Sequence, residues 1–324
     1  MKAATLAALV MVAFPQGDEA TVKSKRLLIA LEGGGAVTID PRTGKVLERH
    51  ETGSDAFGAA FSFDGRRAFV TDNQSGTLVE IGGEKVVVGR GAHQPAATAD
   101  GRLYIPLSGE AAIAVVQGRS VARRIETGAG TKPHIISISP DGRWIWATVQ
   151  GVDPKILAIE ITPEGEKPAR EFRYDLVPRV ISATNDGAWF TAHHSTGLHF
   201  ASLADGKVTT PFIDENGPHS EPRKQIEGVA ASPDGRRIAI THEGRRAMVV
   251  FEVSEGKPRP VSQAVPLADN PYWVTFDPSL DVAYVSIPAK GLVEAYSLKL
   301  AAAKLLWRAE IGGKPKRMAV SETP

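Results

Sequence analysis

The sequence predicts an all-β chain made from one repeated four-stranded unit, on three observations. First, an apolar strand, a tight polar turn and a second apolar strand recur six times in 324 residues: AAFSFDGRRAFVTD (59–72), AATADGRLYIPL (96–107), ISISPDGRWIWATV (136–149), ISATNDGAWFTAH (181–193), VAASPDGRRIAITH (229–242) and VTFDPSLDVAYVSI (274–287). Second, the turn aspartates Asp64, Asp100, Asp141, Asp186 and Asp234 are spaced by 36, 41, 45 and 48 residues, and Ser279 takes their place 45 later. Third, no long stretch past the N-terminal segment has helical periodicity. A period of this length holds four short strands, and a sheet that is apolar on both faces must be covered on both. A closed ring of such sheets, a β-propeller, does this.

The elements follow in chain order. Lys2 and the apolar run 3–14 read as an export signal, too short to span a bilayer, so residues 1–22 are expected to be a signal peptide and 23–324 a single domain. Residues 25–53 (KRLLIALEGGGAVTIDPRTGKVLERHETG) supply an outer hairpin with a Thr43-Gly44-Lys45 turn, and Gly33-Gly34-Gly35 is a turn before a strand rather than a phosphate loop. In the repeats, Asp-Gly provides the left-handed backbone of a hairpin turn. Flanking runs such as 68–71 (AFVT) and 238–241 (IAIT) are apolar and β-forming. Residues 299–307 (KLAAAKLLW) have helix-forming composition but sit in an outer-strand register, and are read as strand. The C-terminal KPKRMAVS (314–321) matches KPHIISIS (132–139) and stops where the turn should come. Its missing remainder is the N-terminal hairpin, so six internal units plus one shared by both termini make seven blades and leave no open edge.

Proline, an apolar strand, Ser-Pro-Asp-Gly and an apolar strand ending in Thr together resemble the YVTN repeat of exported bacterial and archaeal seven-bladed propellers. Pro133–Thr148 and Ile226–Thr241 are the best copies, and the resemblance covers nearly everything after residue 25. Asp72, Val149, His193 and His242 stand where the motif has its Asn. The resemblance implies an exported propeller, periplasmic or secreted, and leaves function open among binding proteins, lactonases, amine dehydrogenase subunits and a haem-bearing nitrite reductase domain.

Composition narrows the partners. Lys plus Arg number 38 against 37 for Asp plus Glu, and the basic residues are scattered through turns such as Arg66-Arg67 and Arg236-Arg237, so no stripe for nucleic acid exists. With no cysteine, disulfides, thiolate metal sites, covalent haem attachment and lipoprotein acylation are excluded. A monomer without a transmembrane segment is expected, binding a small molecule or a protein.

Function should lie where the repeat is broken. Innermost strands begin, and second strands end, on the face away from the Asp-Gly turns. Strand starts place Phe57, His93, His134, Arg179, Glu227, Tyr272, Trp273, Lys316 and Arg317 there, and strand ends place Asp72, Asn73, Gln150, His193, His194, His242 and Glu243 there. Of these, His134, Arg179, Glu227, Tyr272, Trp273 and Arg317 are the candidate ligand-binding residues. Tyr272-Trp273 either stacks on a ligand or packs between blades, whereas Trp144, Trp146 and Trp189 belong in the core.

Five of eight histidines, His193, His194, His199, His219 and His242, fall in blades four and five. His193 and His242 are read as occupying the same repeat position in adjacent blades, and with His194, His219 and Glu243 they are candidate ligands for a divalent metal or a tetrapyrrole. His134, His193, His242 or Glu243 as acid or base, with Arg179 or Arg317 stabilising an anion, would suit a lactonase-type hydrolase or a metal-assisted lyase. The sequence thus predicts a binding module acting through the strand-start face, with hydrolase or lyase and metal or tetrapyrrole carrier as alternatives.

Overall fold

The computed structural model describes residues 25–167, 169–213, 225–261, 263–277, 282–299 and 303–321. The expected leader, Ser279 and His219 lie outside these residues. Seven antiparallel sheets form a ring, and strand accounts for 60% of the described residues against 1% for helix, as the repeats predict.

Blade one runs outward from the axis through Ala56–Phe61, Ala68–Asp72, Thr77–Glu80 and Lys85–Val87. Blades two to six open on Ala96–Ala97, Thr131–Ile138, Pro178–Ala183, Ile226–Ala231 and Trp273–Phe276. Each innermost strand packs against that of the next blade all the way round. In blade six the outermost strand is Lys304–Glu310, so the helix-forming composition at 304–307 yields to sheet pairing, while 300–302 lie outside the described residues. The buried indoles Trp144, Trp146 and Trp189 fill one continuous core cluster, as expected.

Blade seven is shared by the two ends of the chain. Its innermost strand is Lys314–Val320, paired with Leu27–Glu32, beyond which lie Ala36–Ile39 and Val46–His50. Ser321 reinforces the seam: its N–H donates to the Arg26 carbonyl at 2.8 Å and its Oγ accepts the Arg26 N–H at 2.8 Å. Ring closure therefore depends on long-range pairing, which a local hairpin cannot replace.

The repeated turns have one construction. The hydroxyl two residues before the aspartate donates to it (Ser62 to Asp64, 2.5 Å; Ser139 to Asp141, 2.5 Å; Ser232 to Asp234, 2.6 Å), and the carboxylate accepts an N–H two residues on (Arg66, 3.1 Å; Arg143, 3.0 Å; Arg236, 3.1 Å). Gly65, Gly142 and Gly235 follow at φ 66°, 72° and 68°, where a side chain is disfavoured.

Blade four departs from this pattern. Its turn closes from the Thr184 N–H to the Gly187 carbonyl at 2.9 Å, whereas blade five spans Ser232 to Arg237. The blade four hairpin is thus two residues shorter, and Gly187 begins a strand instead of a left-handed turn. This corrects the alignment of His193 with His242. Thr191 and Thr241 are the true equivalents, each accepting an inner-strand N–H (Val180, 3.3 Å; Gly228, 3.0 Å). His193 therefore matches Glu243, and a one-residue shift moves a strand side chain to the other face.

Candidate functional site

The threonine that ends the second strand in blades one and three explains how the mouth of the ring is built. Its hydroxyl accepts an N–H from its own inner strand and donates to an inner-strand carbonyl of the next blade. Thr71 accepts from Gly58 at 2.9 Å and donates to His93 at 2.9 Å; Thr148 accepts from Ile135 at 3.1 Å and donates to Arg179 at 3.2 Å. Ser286 does the same between Trp273 (3.1 Å) and Lys316 (2.7 Å). Accepting that N–H frees the inner strand from its ladder for one step, which produces a β-bulge. Pairing runs from Ala56–Asp72 to Gly58–Thr71, from Pro133–Val149 to Ile135–Thr148, and from Ile226–His242 to Gly228–Thr241. Phe57, His134 and Glu227 are the residues skipped, and Arg179 lies in the corresponding gap of blade four.

Replacing Thr71 with Val keeps its shape but leaves the buried Gly58 N–H and His93 carbonyl without this partner. We expect a loss of about 1–3 kcal/mol in chemical denaturation, and an unchanged midpoint would rule out this role for the hydroxyl.

The bonds to His93, Arg179 and Lys316 also set the register around the ring, so the mouth position is held by Phe57, His93, His134, Arg179, Glu227, Tyr272 and Lys316, one from each blade. The side chains converge. The Phe57 and His93 rings meet edge to face at 4.5 Å, and the His93 and His134 centroids are 4.4 Å apart. His134 Nδ1 lies 3.3 Å from the Arg179 carbonyl, Arg179 forms a two-pronged ion pair with Glu227, and Gln225 Nε2 donates to Glu227 at 3.3 Å. The Lys316 ammonium sits 4.2 Å from the Tyr272 ring centre and pairs with Glu32 at 3.0 Å.

Arg317 and Trp273 occupy the next position along their strands. Trp273 is buried in the core cluster, so of the two readings for the aromatic pair, packing holds for Trp273, while Tyr272 remains at the mouth. Arg317 is 1% exposed and lies between aromatic rings, its guanidinium carbon 4.0 Å from the Phe57 centre and 5.5 Å from that of Trp273.

Burial sets the protonation states. Together with the Arg317 charge it pushes the His134 imidazole down to about 3 and His93 lower still. Both rings are therefore neutral at physiological pH. Burial pushes the Glu227 carboxyl up while Arg179 pulls it back.

The strand-end residues are engaged with the scaffold. Gln150 Nε2 donates to the Pro178 carbonyl at 3.0 Å and lies 3.3 Å from His193 Nε2, Asn73 donates to the Ala92 carbonyl at 3.3 Å, and Asp72 accepts the N–H groups of Asp55 at 3.1 Å and Ser75 at 2.8 Å. His242 turns Nδ1 onto the Glu243 carbonyl at 2.7 Å, and the His194 backbone donates to Gln225. Among the described residues no group of three or more His, Asp or Glu side chains is gathered to hold a metal.

Of the six proposed ligand-binding residues, His134, Arg179, Glu227 and Tyr272 take mouth positions, with Arg317 and Trp273 directly behind. Phe57, His93 and Lys316 complete the ring and are not among those six. Blade two has no terminal threonine, since LYIPL ends its strand, and the shared acceptor role of the His93 and Arg179 carbonyls emerges only in three dimensions.

The chain is a seven-bladed propeller whose structural neighbours include lactonase-like propellers. The periplasmic gluconolactonase PpgL of Pseudomonas aeruginosa superposes with a TM-score of 0.71 at 17% identity, covering 93% of this chain and 99% of that one. A putative 6-phosphogluconolactonase of Bacteroides fragilis gives 0.68 at 16% identity over 94% and 100%, and a Kuenenia stuttgartiensis hydrazine synthase chain gives 0.69 at 17% over 89% and 99%. Identities this low establish the shared fold alone. No family's sequence profile matches the chain, and no curated protein matches it in sequence.

Proposed function

We propose that this protein is an exported propeller that binds a small polar ligand at the mouth of the ring. The observation that carries this reading is the contrast between positions. Turn and threonine positions repeat from blade to blade, whereas one register position carries Phe, His, His, Arg, Glu, Tyr and Lys. The seven side chains offer stacking faces, neutral donors and acceptors, and charges of both signs, which suits a polyhydroxylated molecule. Export is supported by Lys2 with its apolar run and by the likeness to a propeller described as periplasmic. Among the described residues no helix is long and apolar enough to cross a membrane.

Calorimetric titration with sugar acids and their lactones tests the reading. His134→Ala and Tyr272→Ala are expected to weaken binding by about 1–3 kcal/mol, while Arg66→Ala and Arg236→Ala on the turn face leave it unchanged. The reverse pattern would move the site to the other face.

A lactonase-type hydrolase is the second reading, favoured by the guanidinium groups of Arg179 and Arg317 beside neutral imidazoles, an arrangement that can stabilise an oxyanion. Plain binding comes first because an imidazole held at about 3 is a poor general base at neutral pH. Turnover of gluconolactone that disappears in His134→Ala while binding survives would reverse the order.

A further inference from the structure

We propose that Arg317 is the receptor for a carboxylate group of the ligand, an inference that rests on the ligand-binding reading above. Its Nε and Nη1 are fully buried and have no hydrogen-bond acceptor among the described residues. A buried guanidinium with open donors is costly, and proteins ordinarily satisfy such groups. Here the Phe57 and Trp273 rings hold the cation without supplying an acceptor. Stacking fixes the group in place and leaves its N–H hydrogens for something else.

Charge accounting gives the class of partner. The side chains acting electrostatically on Arg317 are Tyr272, which brings a phenol and no carboxylate, Arg179, which repels it, and Glu227, which is already bound to Arg179. Glu243 bears on Glu227, and Lys316 is neutralised by Glu32. His93 and His134 are neutral. Arg317, Arg179 and Glu227 therefore leave one positive charge in excess in a desolvated place. A monoanion cancels it, whereas a phosphate dianion would replace an excess of one sign with the other. Guanidinium also matches the planar geometry of a carboxylate. The ligand's carboxylate would sit on Arg317, with its remaining groups among the mouth side chains.

The test uses the full chain and the variants Arg317→Met, which keeps length and removes charge, and Arg317→Lys, which keeps charge and removes the fork. Acetate, gluconate, gluconolactone and inorganic phosphate are the probes, followed by calorimetry and by melting temperature in carboxylate-free buffer. Gluconate is expected to bind the wild type, at least tenfold more weakly to Arg317→Lys, and not measurably to Arg317→Met. Without ligand, Arg317→Met should melt at the same temperature as the wild type or higher, because an uncompensated buried charge has been removed. Gluconate should raise the melting temperature of the wild type alone. A lower melting temperature for Arg317→Met that Arg317→Lys restores would make Arg317 structural and overturn the inference. So would undiminished gluconate binding by Arg317→Met, or phosphate binding more tightly than gluconate. If gluconate affinity survives in Arg317→Met but falls in His134→Ala, the carboxylate assignment fails and the ligand-binding reading stands. If none of the probes binds the wild type, both fall.

Discussion

Removal of residues 315–324 is expected to unfold the protein. The deletion takes all but the first residue of Lys314–Val320, the innermost strand of blade seven. Leu27–Glu32 then loses a ladder partner along its length, and the inner strands of blades six and one lose the surface they pack on. Arg317 and the buried Met318 go too, together with the Ser321 hydrogen bonds to Arg26. A domain is stabilised by about 5–15 kcal/mol in total, and a gap in the innermost layer removes a comparable amount, because propeller blades bury their faces only against neighbours. The truncated chain should be insoluble or lack a cooperative melt, and the exposed edge of Leu27–Glu32 favours aggregation. A cooperative transition at the wild-type temperature would mean that the ring does not depend on this strand.

Acid is expected to destabilise the fold well above the range in which carboxylates titrate. Burial depresses the imidazoles of His93, His134 and His199, the last to about 4 and His134 to about 3. The unfolded chain takes up these protons near pH 6.5 and the folded chain does not, so the stability they contribute is complete above about 6.5 and is lost as pH falls below it. Between pH 7 and pH 5 each histidine costs about 2 kcal/mol, and the three together about 5–6 kcal/mol. Glu227, whose carboxyl burial pushes up, works in the opposite direction because protonation relieves its desolvation. Aspartates held low, such as Asp100 at about 2, matter only at lower pH. Urea midpoints at pH 7 and pH 5 measure the effect. Equal midpoints would show that the imidazoles are charged in the folded protein.

His199 shows a limit of counting histidines. It is one of the five clustered in blades four and five, but it is 1% exposed, with Nδ1 2.9 Å from both the Tyr174 hydroxyl and Thr210 Oγ1 and Nε2 3.0 Å from Ser195 Oγ. Its partners are hydroxyls of its own blade and of Tyr174 in the segment leading into it, a hydrogen-bonded core position rather than a gathering of ligands. Composition reveals how many imidazoles a segment has, whereas only packing reveals what surrounds them.

What the sequence determined by itself was everything encoded within one repeat. The Ser-x-Asp-Gly turns, the apolar strands, the terminal threonine and the two half-units at the chain ends are local patterns, so blade number, closure and the face where the repeat varies were legible. Arg179, Glu227, His134 and Tyr272 could be placed on that face because each begins an inner strand. The tertiary structure decided which of them meet. Arg179 and Glu227 lie 48 residues apart, and Arg317 from the last strand stacks on Phe57 from the first complete blade. Neighbours around the ring are a whole blade apart in the chain, and their contact depends on where each bulge falls. A shift of one residue turns a side chain away, as it does for His193, whose counterpart in blade five is Glu243 and not His242. The unsatisfied charge of Arg317 was also invisible in the sequence, because an arginine is costly only where folding has removed both water and acceptors.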